Sequence, residues 1–314
     1  MSSNDNGQVE MENKSTQLTD LVDMEKPQFI WEEVKTIMLM MHPEFNFEHL
    51  ESAYKDVVKL FLGEYQGYQK CNTEYHDLRH TMAVVLATAR LIHGVCIEKE
   101  HFTEKGINIG LIGALMHDTG YIQTTDDSKG TGGKYTLVHV ERSIEFTKKY
   151  FSCNTYFKND TGSFRDVLNC TGLNINISEI PFVSREMELI GKILGTADLF
   201  GQMGDRLYLE KLLFLYYEFA EAYNGCFDSE LDLLQKTLDF YDFIKARFIN
   251  QLGNVNNYMV SHFQERWNID RDLYTVGIEN NINYLNYILK RHVSDYNKYL
   301  RRGSTLNTLK TLEQ

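Results

Sequence analysis

From Pro27 onward apolar residues recur at steps of three and four: Leu50, Tyr54, Val57, Val58 and Phe61 would line one face of a helix. The same period predicts helices near 30–41, 46–66, 76–97, 106–118, 136–151, 162–171, 183–201, 204–224, 229–250, 254–266 and 276–301. Alternating strand patterns and closely set turn signals are missing, and the chain has only 3 prolines beside 21 glycines. An all-α fold follows: a single compact multi-helix domain over 26–302, without an internal repeat or a Pro/Gly-rich linker. Residues 1–25 are dominated by Ser, Asn, Asp, Gln, Glu and Thr and predict a disordered tail; 303–314 predict a polar one. Two stretches break the helical text. Residues 119–135 (TGYIQTTDDSKGTGGKY) form a glycine-rich loop placed to cover a site, and 172–182 (GLNINISEIPF) suit a connection between helices.

Composition changes this picture little. Hydrophobic residues at 43% and charged ones at 24% fit a globular body. The balance of 44 acidic against 32 basic residues, a net charge of −12, disfavours a nucleic-acid polymer as partner. No run of 18 apolar residues and no basic-then-apolar leader is found, so no membrane partner is expected and the chain reads as cytoplasmic. The five cysteines form no C-x-x-C pair and read as buried small hydrophobes. Met38 to Met41 read as a packing face or the face of a homodimer. The GTGGK run does not make a phosphate loop, because that motif needs Gly where Ser128 stands and Ser or Thr where Tyr135 stands.

Candidate chemistry lies in a few of the ten histidines. His76 and His80, in YHDLRHT, are spaced i and i+4, so both imidazoles project from one helix face. His117 and Asp118 end the apolar segment IGLIGALM, and Asp198 interrupts the equally apolar LIGKILGTADLFGQM. Burying an imidazole beside a carboxylate costs on the order of several kcal/mol unless a cation or hydrogen bonds satisfy them. A divalent metal (zinc, iron, manganese or magnesium) meets that need.

The ordered set His80, His117-Asp118 and Asp198 resembles the HD-domain superfamily of metal-dependent phosphohydrolases, most nearly the class I cyclic-nucleotide phosphodiesterase catalytic domain. That family opens its site with Y-H-N-x-x-H; this chain has Tyr75, His76, Asp77, Leu78, Arg79 and His80, with Asp in place of Asn. The resemblance, over about residues 70–250, implies roles. His76 would be the general acid that protonates the leaving oxygen, and His80, His117, Asp118 and Asp198 the metal ligands. Glu218, in an E-F pair 20 residues after Asp198, would orient His76, and His139, 21 residues after Asp118, would stand behind the ligands. The family's Q-x-x-F is echoed by Thr237 and Phe240, which would line the substrate pocket, Phe240 as the stacking ring and Thr237 in place of the purine-binding Gln.

No histidine falls between His139 and Asp198, whereas HD-GYP phosphodiesterases and di-iron HD oxygenases carry more there. The resemblance therefore implies two divalent ions, one tightly held and one rich in water, with Asp118 bridging. The expected activity is a metal-dependent phosphoric ester hydrolase, a phosphodiesterase acting on a cyclic nucleotide or related diester through a metal-bridging hydroxide. The alternatives are hydrolysis of another phosphoester, such as a nucleoside monophosphate or cyclic dinucleotide, and a non-catalytic metal-binding helical interaction protein.

Overall fold

One segment, Leu78–Ile97, is so uniformly apolar that it has no face to offer water, and every residue from His80 to Val95 is buried. The computed structural model, which describes residues 16–98, 100–223 and 226–300, makes this segment the central helix. In chain order the helices are α1 (Leu18–Leu21), α2 (Pro27–Met41), α3 (Glu48–Leu62), α4 (Leu78–Ile97), α5 (Glu104–Met116) and α6 (His139–Phe151). They continue with α7 (Thr161–Asn169), α8 (Arg185–Met203), α9 (Tyr208–Tyr223), α10 (Glu230–Asn250), α11 (Met259–Trp267) and α12 (Leu273–Arg291). Five short 3₁₀ segments join them. The fold is all-α: among the described residues the sole extended pairing is an isolated bridge between Tyr68 and Thr124.

By length and composition α4 could cross a bilayer, yet 89% of its most apolar window is buried inside the fold. It packs on α8, α2, α5 and α11. Around it the surface helices follow the amphipathic rule, α3 turning Leu50, Ala53, Val57, Leu60 and Phe61 inward and ending at Gly63 in the left-handed conformation. α8 carries Asp198 on a buried stripe facing α4, and α9 lies across the 3₁₀ segment Gly132–Tyr135.

Three sequence expectations need correction. The predicted tail ends earlier than residue 25: Leu18, Leu21 and Met24 pack on the core and Val22 is buried, four apolar side chains inside an otherwise polar stretch. The final helix stops at Arg291, and Val293–Lys298 form a 3₁₀ turn interrupted at Asp295 (φ −141°), where His292 stacks on Tyr299. Of the cysteines, Cys170 is buried, whereas Cys153 and Cys226 are exposed. The expected segments 1–15 and 301–314 lie outside the described residues. In the Met38–Met41 stretch, Met38 is in the core while Leu39 and Met40 are exposed.

The end of α7 depends on one distant side chain. The buried Arg247 of α10 donates to the carbonyls of Cys170 (3.1 Å), Gly172 (2.9 Å) and Leu173 (3.1 Å), tying the chain that leaves the ending helix to α10. Arg247→Met is expected to lower stability by about 3 kcal/mol, because three carbonyls, that of Cys170 fully buried, lose a charged donor together. A urea midpoint within error of the wild type would show that water replaces the guanidinium without cost.

Candidate metal centre

Local chemistry delivers each side chain. Asp77 is the N-cap of α4, accepting the His80 backbone N–H at 2.7 Å. Asp and Asn are equally good caps, so the departure from Y-H-N costs nothing here. His117 and Asp118 sit just where α5 stops. The Thr119 hydroxyl takes the Met116 carbonyl (2.8 Å) and the Ser143 hydroxyl takes that of His117 (2.5 Å), replacing the bonds a continuing helix would make. Asp118 (φ −107°) then leads into the 3₁₀ turn Thr119–Tyr121.

The ring nitrogens and carboxylates converge. His80 Nε2 lies 3.3 Å from Asp118 Oδ2 and 3.3 Å from Asp198 Oδ1; His117 Nε2 lies 3.2 Å from Asp118 Oδ2, 3.7 Å from Asp198 Oδ1 and 3.2 Å from His80 Nε2. All four residues are buried. Donors about 2.0–2.2 Å from a tetrahedral ion stand roughly 3.3–3.6 Å apart, close to this spacing.

Protonation logic points the same way. The Ala114 carbonyl, which can only accept, lies 2.8 Å from His117 Nδ1, so Nδ1 carries the hydrogen, and in the neutral ring it is the Nε2 lone pair that faces Asp118. Asp118 Oδ2 is buried without a hydrogen-bond partner among the described residues. Lone pairs facing one another at this distance require positive charge between them. Burial opposes a charged His80, yet the adjacent Asp118 and Asp198 carboxylates outweigh it and raise the pKa to about 9. Burial likewise resists ionisation of Asp118, and the adjacent His117 overrides it, holding the carboxyl well below the usual range. A divalent cation answers the same demand, and the donor set of two imidazoles and two carboxylates suits zinc, manganese or iron.

His76 stands apart from this group. Its Nδ1 lies 2.6 Å from Glu218 Oε2, and Glu218 Oε1 accepts the Tyr75 backbone N–H at 2.8 Å, so both carboxylate oxygens are spent on fixing the ring. The carboxylate makes Nδ1 the donor and leaves Nε2 directed elsewhere, 3.5 Å from the Tyr121 hydroxyl. His139, at the start of α6, has its Nδ1 on the Thr136 carbonyl (2.7 Å) and its Nε2 4.0 Å from Asp118 Oδ1. The two oxygens of Asp118 thus serve different neighbours. Burial pushes the His139 pKa down, favouring the neutral ring.

The glycine-rich loop packs against α9 beside Glu218. Its Lys134 is paired with Asp127 at 2.7 Å, and Thr131 is gripped by Glu221, one turn beyond Glu218 on α9. Gly132 lies so close to the Tyr121 carbonyl that any Cβ would fall deep inside van der Waals contact. The loop and the His76 clamp therefore share α9.

Three side chains belong to the site that sequence reasoning did not single out. Tyr121 stacks on both His76 (centroids 4.2 Å apart) and His139 (4.6 Å). Gln202, one turn after Asp198, donates to Asp198 Oδ1 at 2.9 Å; its i+4 spacing was the available signal. Ser143 accepts the Gly120 N–H (2.9 Å) while bonding the His117 carbonyl. Two expected pocket residues are not brought in. Thr237 is buried with its hydroxyl on the Leu233 carbonyl (2.9 Å), the i−4 bond that a threonine inside a helix commonly makes, and Phe240 stacks on Phe243. Neither contact reaches His76 or the carboxylates.

The family described as Npun_R2479-like matches residues 127–259, a stretch containing His139, Asp198 and Glu218 but beginning after His80, His117 and Asp118. No curated protein and no solved structure matches the chain.

Proposed function

We propose that the chain is a metal-dependent phosphohydrolase built on the plan of the HD-domain superfamily, hydrolysing a phosphodiester of the nucleotide class. The observation that supports it is the division between two kinds of histidine. His80 and His117 turn Nε2 into a group shared with Asp118 and Asp198, whereas His76, one helical turn before His80, is held by Glu218 instead. In this reading His80, His117, Asp118 and Asp198 would hold the divalent metal ions. Such ions supply Lewis-acid activation of water and neutralise phosphoryl charge.

The protein's own side chains do the rest. His76, kept in one orientation by Glu218 and by stacking on Tyr121, gives its Nε2 proton to the departing oxygen of the ester. Glu218 stabilises the charged imidazole before that transfer and keeps Nδ1 protonated after it. Burial of Asp118 and His117 keeps bulk water from diluting these interactions.

A second reading, hydrolysis of a phosphomonoester such as a nucleoside monophosphate, is favoured by one observation: Thr237 spends its hydroxyl within its own helix, so purine recognition as in cyclic-nucleotide phosphodiesterases has no counterpart at that position. The test is turnover by manganese- or magnesium-loaded protein, followed by chromatography against cyclic AMP, cyclic GMP, cyclic dinucleotides and nucleoside monophosphates. A cyclic mononucleotide converted to its 5′-monophosphate is the expected result, and release of inorganic phosphate from monophosphates selects the second reading. Bound metal with no turnover of any ester would overturn both and leave a metal-binding interaction protein.

A further inference from the structure

Ten residues beyond His80 on α4, about 15 Å along the axis, a second polar side chain is buried without adequate company. Arg90 is 1% exposed. Its Nη1 donates to the Tyr274 hydroxyl at 3.1 Å, but Nε and Nη2 have no partner among the described residues. The rings of Phe263 and Tyr274 lie 5.4 and 5.7 Å from the guanidinium carbon and stabilise its charge across the π-faces. They cannot accept the in-plane N–H groups. Nε and Nη2 form one edge of the guanidinium, the pair of parallel donors that matches two oxygens of a carboxylate or phosphate.

Arg90 lines a cavity of about 40 Å³, room for roughly three water-sized probes or a group of a few heavy atoms. The same cavity is bounded by Arg79, Arg206, Asp205 and Tyr274, with Leu18 and Met24 of the N-terminal segment over it. Its one carboxylate is already spoken for, since Asp205 lies 3.2 Å from Lys211 and 3.5 Å from Arg79. Adjoining it under the same segment is a cavity of about 390 Å³ that shares Leu18, Thr19, Gly204 and Arg206. Residues 16–25 are tied down at both ends, by Arg271 to the Thr16 carbonyl (3.1 Å) and by Glu25 to Arg79 (2.7 Å). Positive charge therefore exceeds negative around a void whose most buried donor edge is bare.

We propose that this cavity is a binding site for a small oxyanion, a carboxylate or phosphate group seated on the Nε/Nη2 edge of Arg90 beneath residues 16–25. The metal centre is separate from it, and the inference stands whether or not the protein is a hydrolase.

The test titrates the full-length protein, with ¹⁵N-labelled arginine, against formate, inorganic phosphate and, at matched ionic strength, chloride. The Arg90 Nε–H resonance is expected to move saturably with formate or phosphate and to stay in place with chloride. Whichever of the two oxyanions saturates at lower concentration identifies the class. Because the resonance belongs to Arg90, anions that collect at the metal centre do not register. Thermal midpoints supply a second readout: the oxyanion should raise that of the wild type, and Arg90→Lys, which keeps the charge but loses the fork, should need about tenfold more for the same rise. An Arg90 resonance indifferent to both oxyanions, or equally responsive to chloride, overturns the proposal and assigns the cavity to water, whether or not the lysine variant folds.

Discussion

His76→Ala is expected to keep its full complement of divalent metal and to lose about 10²–10⁴-fold in kcat, the range general acid catalysis supplies. Asp118→Ala is expected to lose both metal and turnover. The contrast follows from geometry: Asp118 Oδ2 lies 3.2 Å from His117 Nε2 and 3.3 Å from His80 Nε2, while His76 is engaged with Glu218. Metal content by elemental analysis and turnover of the same preparations decide the matter. A further discriminator concerns the leaving group. If His76 protonates the departing oxygen, an ester with a 4-nitrophenolate leaving group needs little help, and the loss in His76→Ala should shrink sharply with it. An equal loss for good and poor leaving groups would remove His76 from the acid role, and equal metal loss in the two variants would end the division of labour altogether.

How far this arrangement is legible without coordinates depends on the kind of contact. The amphipathic helices were readable because each turns an apolar stripe inward, as α3 does. The convergence of His80, His117, Asp118 and Asp198 was readable because a carboxylate inside an apolar helix, as at Asp198, has few physical explanations. Tyr121 and Ser143 left no comparable mark. Their roles arise from the turn Thr119–Tyr121 meeting α6 in space, with Ser143 bonding His117 across 26 positions, and no local spacing encodes that. Thr237 is the converse case. Its position in the chain agreed with a pattern, but position does not fix where a hydroxyl points, and a helical threonine bonds its own backbone. At the N-terminus the polar majority of residues 1–25 concealed four apolar ones, Leu18, Leu21, Val22 and Met24, enough to hold a helical turn against α12.

Gly120→Ala should destabilise the protein by about 3 kcal/mol or more, at or beyond the upper range for overpacking a core, because the new methyl group meets backbone that cannot step aside. At this glycine the turn after Asp118 touches the start of α6, and a Cβ would collide with the carbonyl of His139 and crowd the Ser143 N–H. The Gly120 N–H also donates to Ser143, whose hydroxyl holds the His117 carbonyl. The substitution therefore pushes on the backbone of both His117 and His139 at once. Gly162→Ala is the control: it lies on α7 with nothing within 4 Å of the added carbon, and should be neutral or stabilising by up to about 1 kcal/mol. Urea unfolding monitored by circular dichroism gives both values, provided the slopes match the wild type. Metal affinity of folded Gly120→Ala then separates two roles for the close approach. Weakened binding means the contact sets the ligand geometry of His117 and Asp118, whereas lower stability with unchanged affinity means it merely joins α5 to α6. A midpoint equal to that of Gly162→Ala would show that α6 moves away freely, and the packing assigned to Gly120 would be wrong.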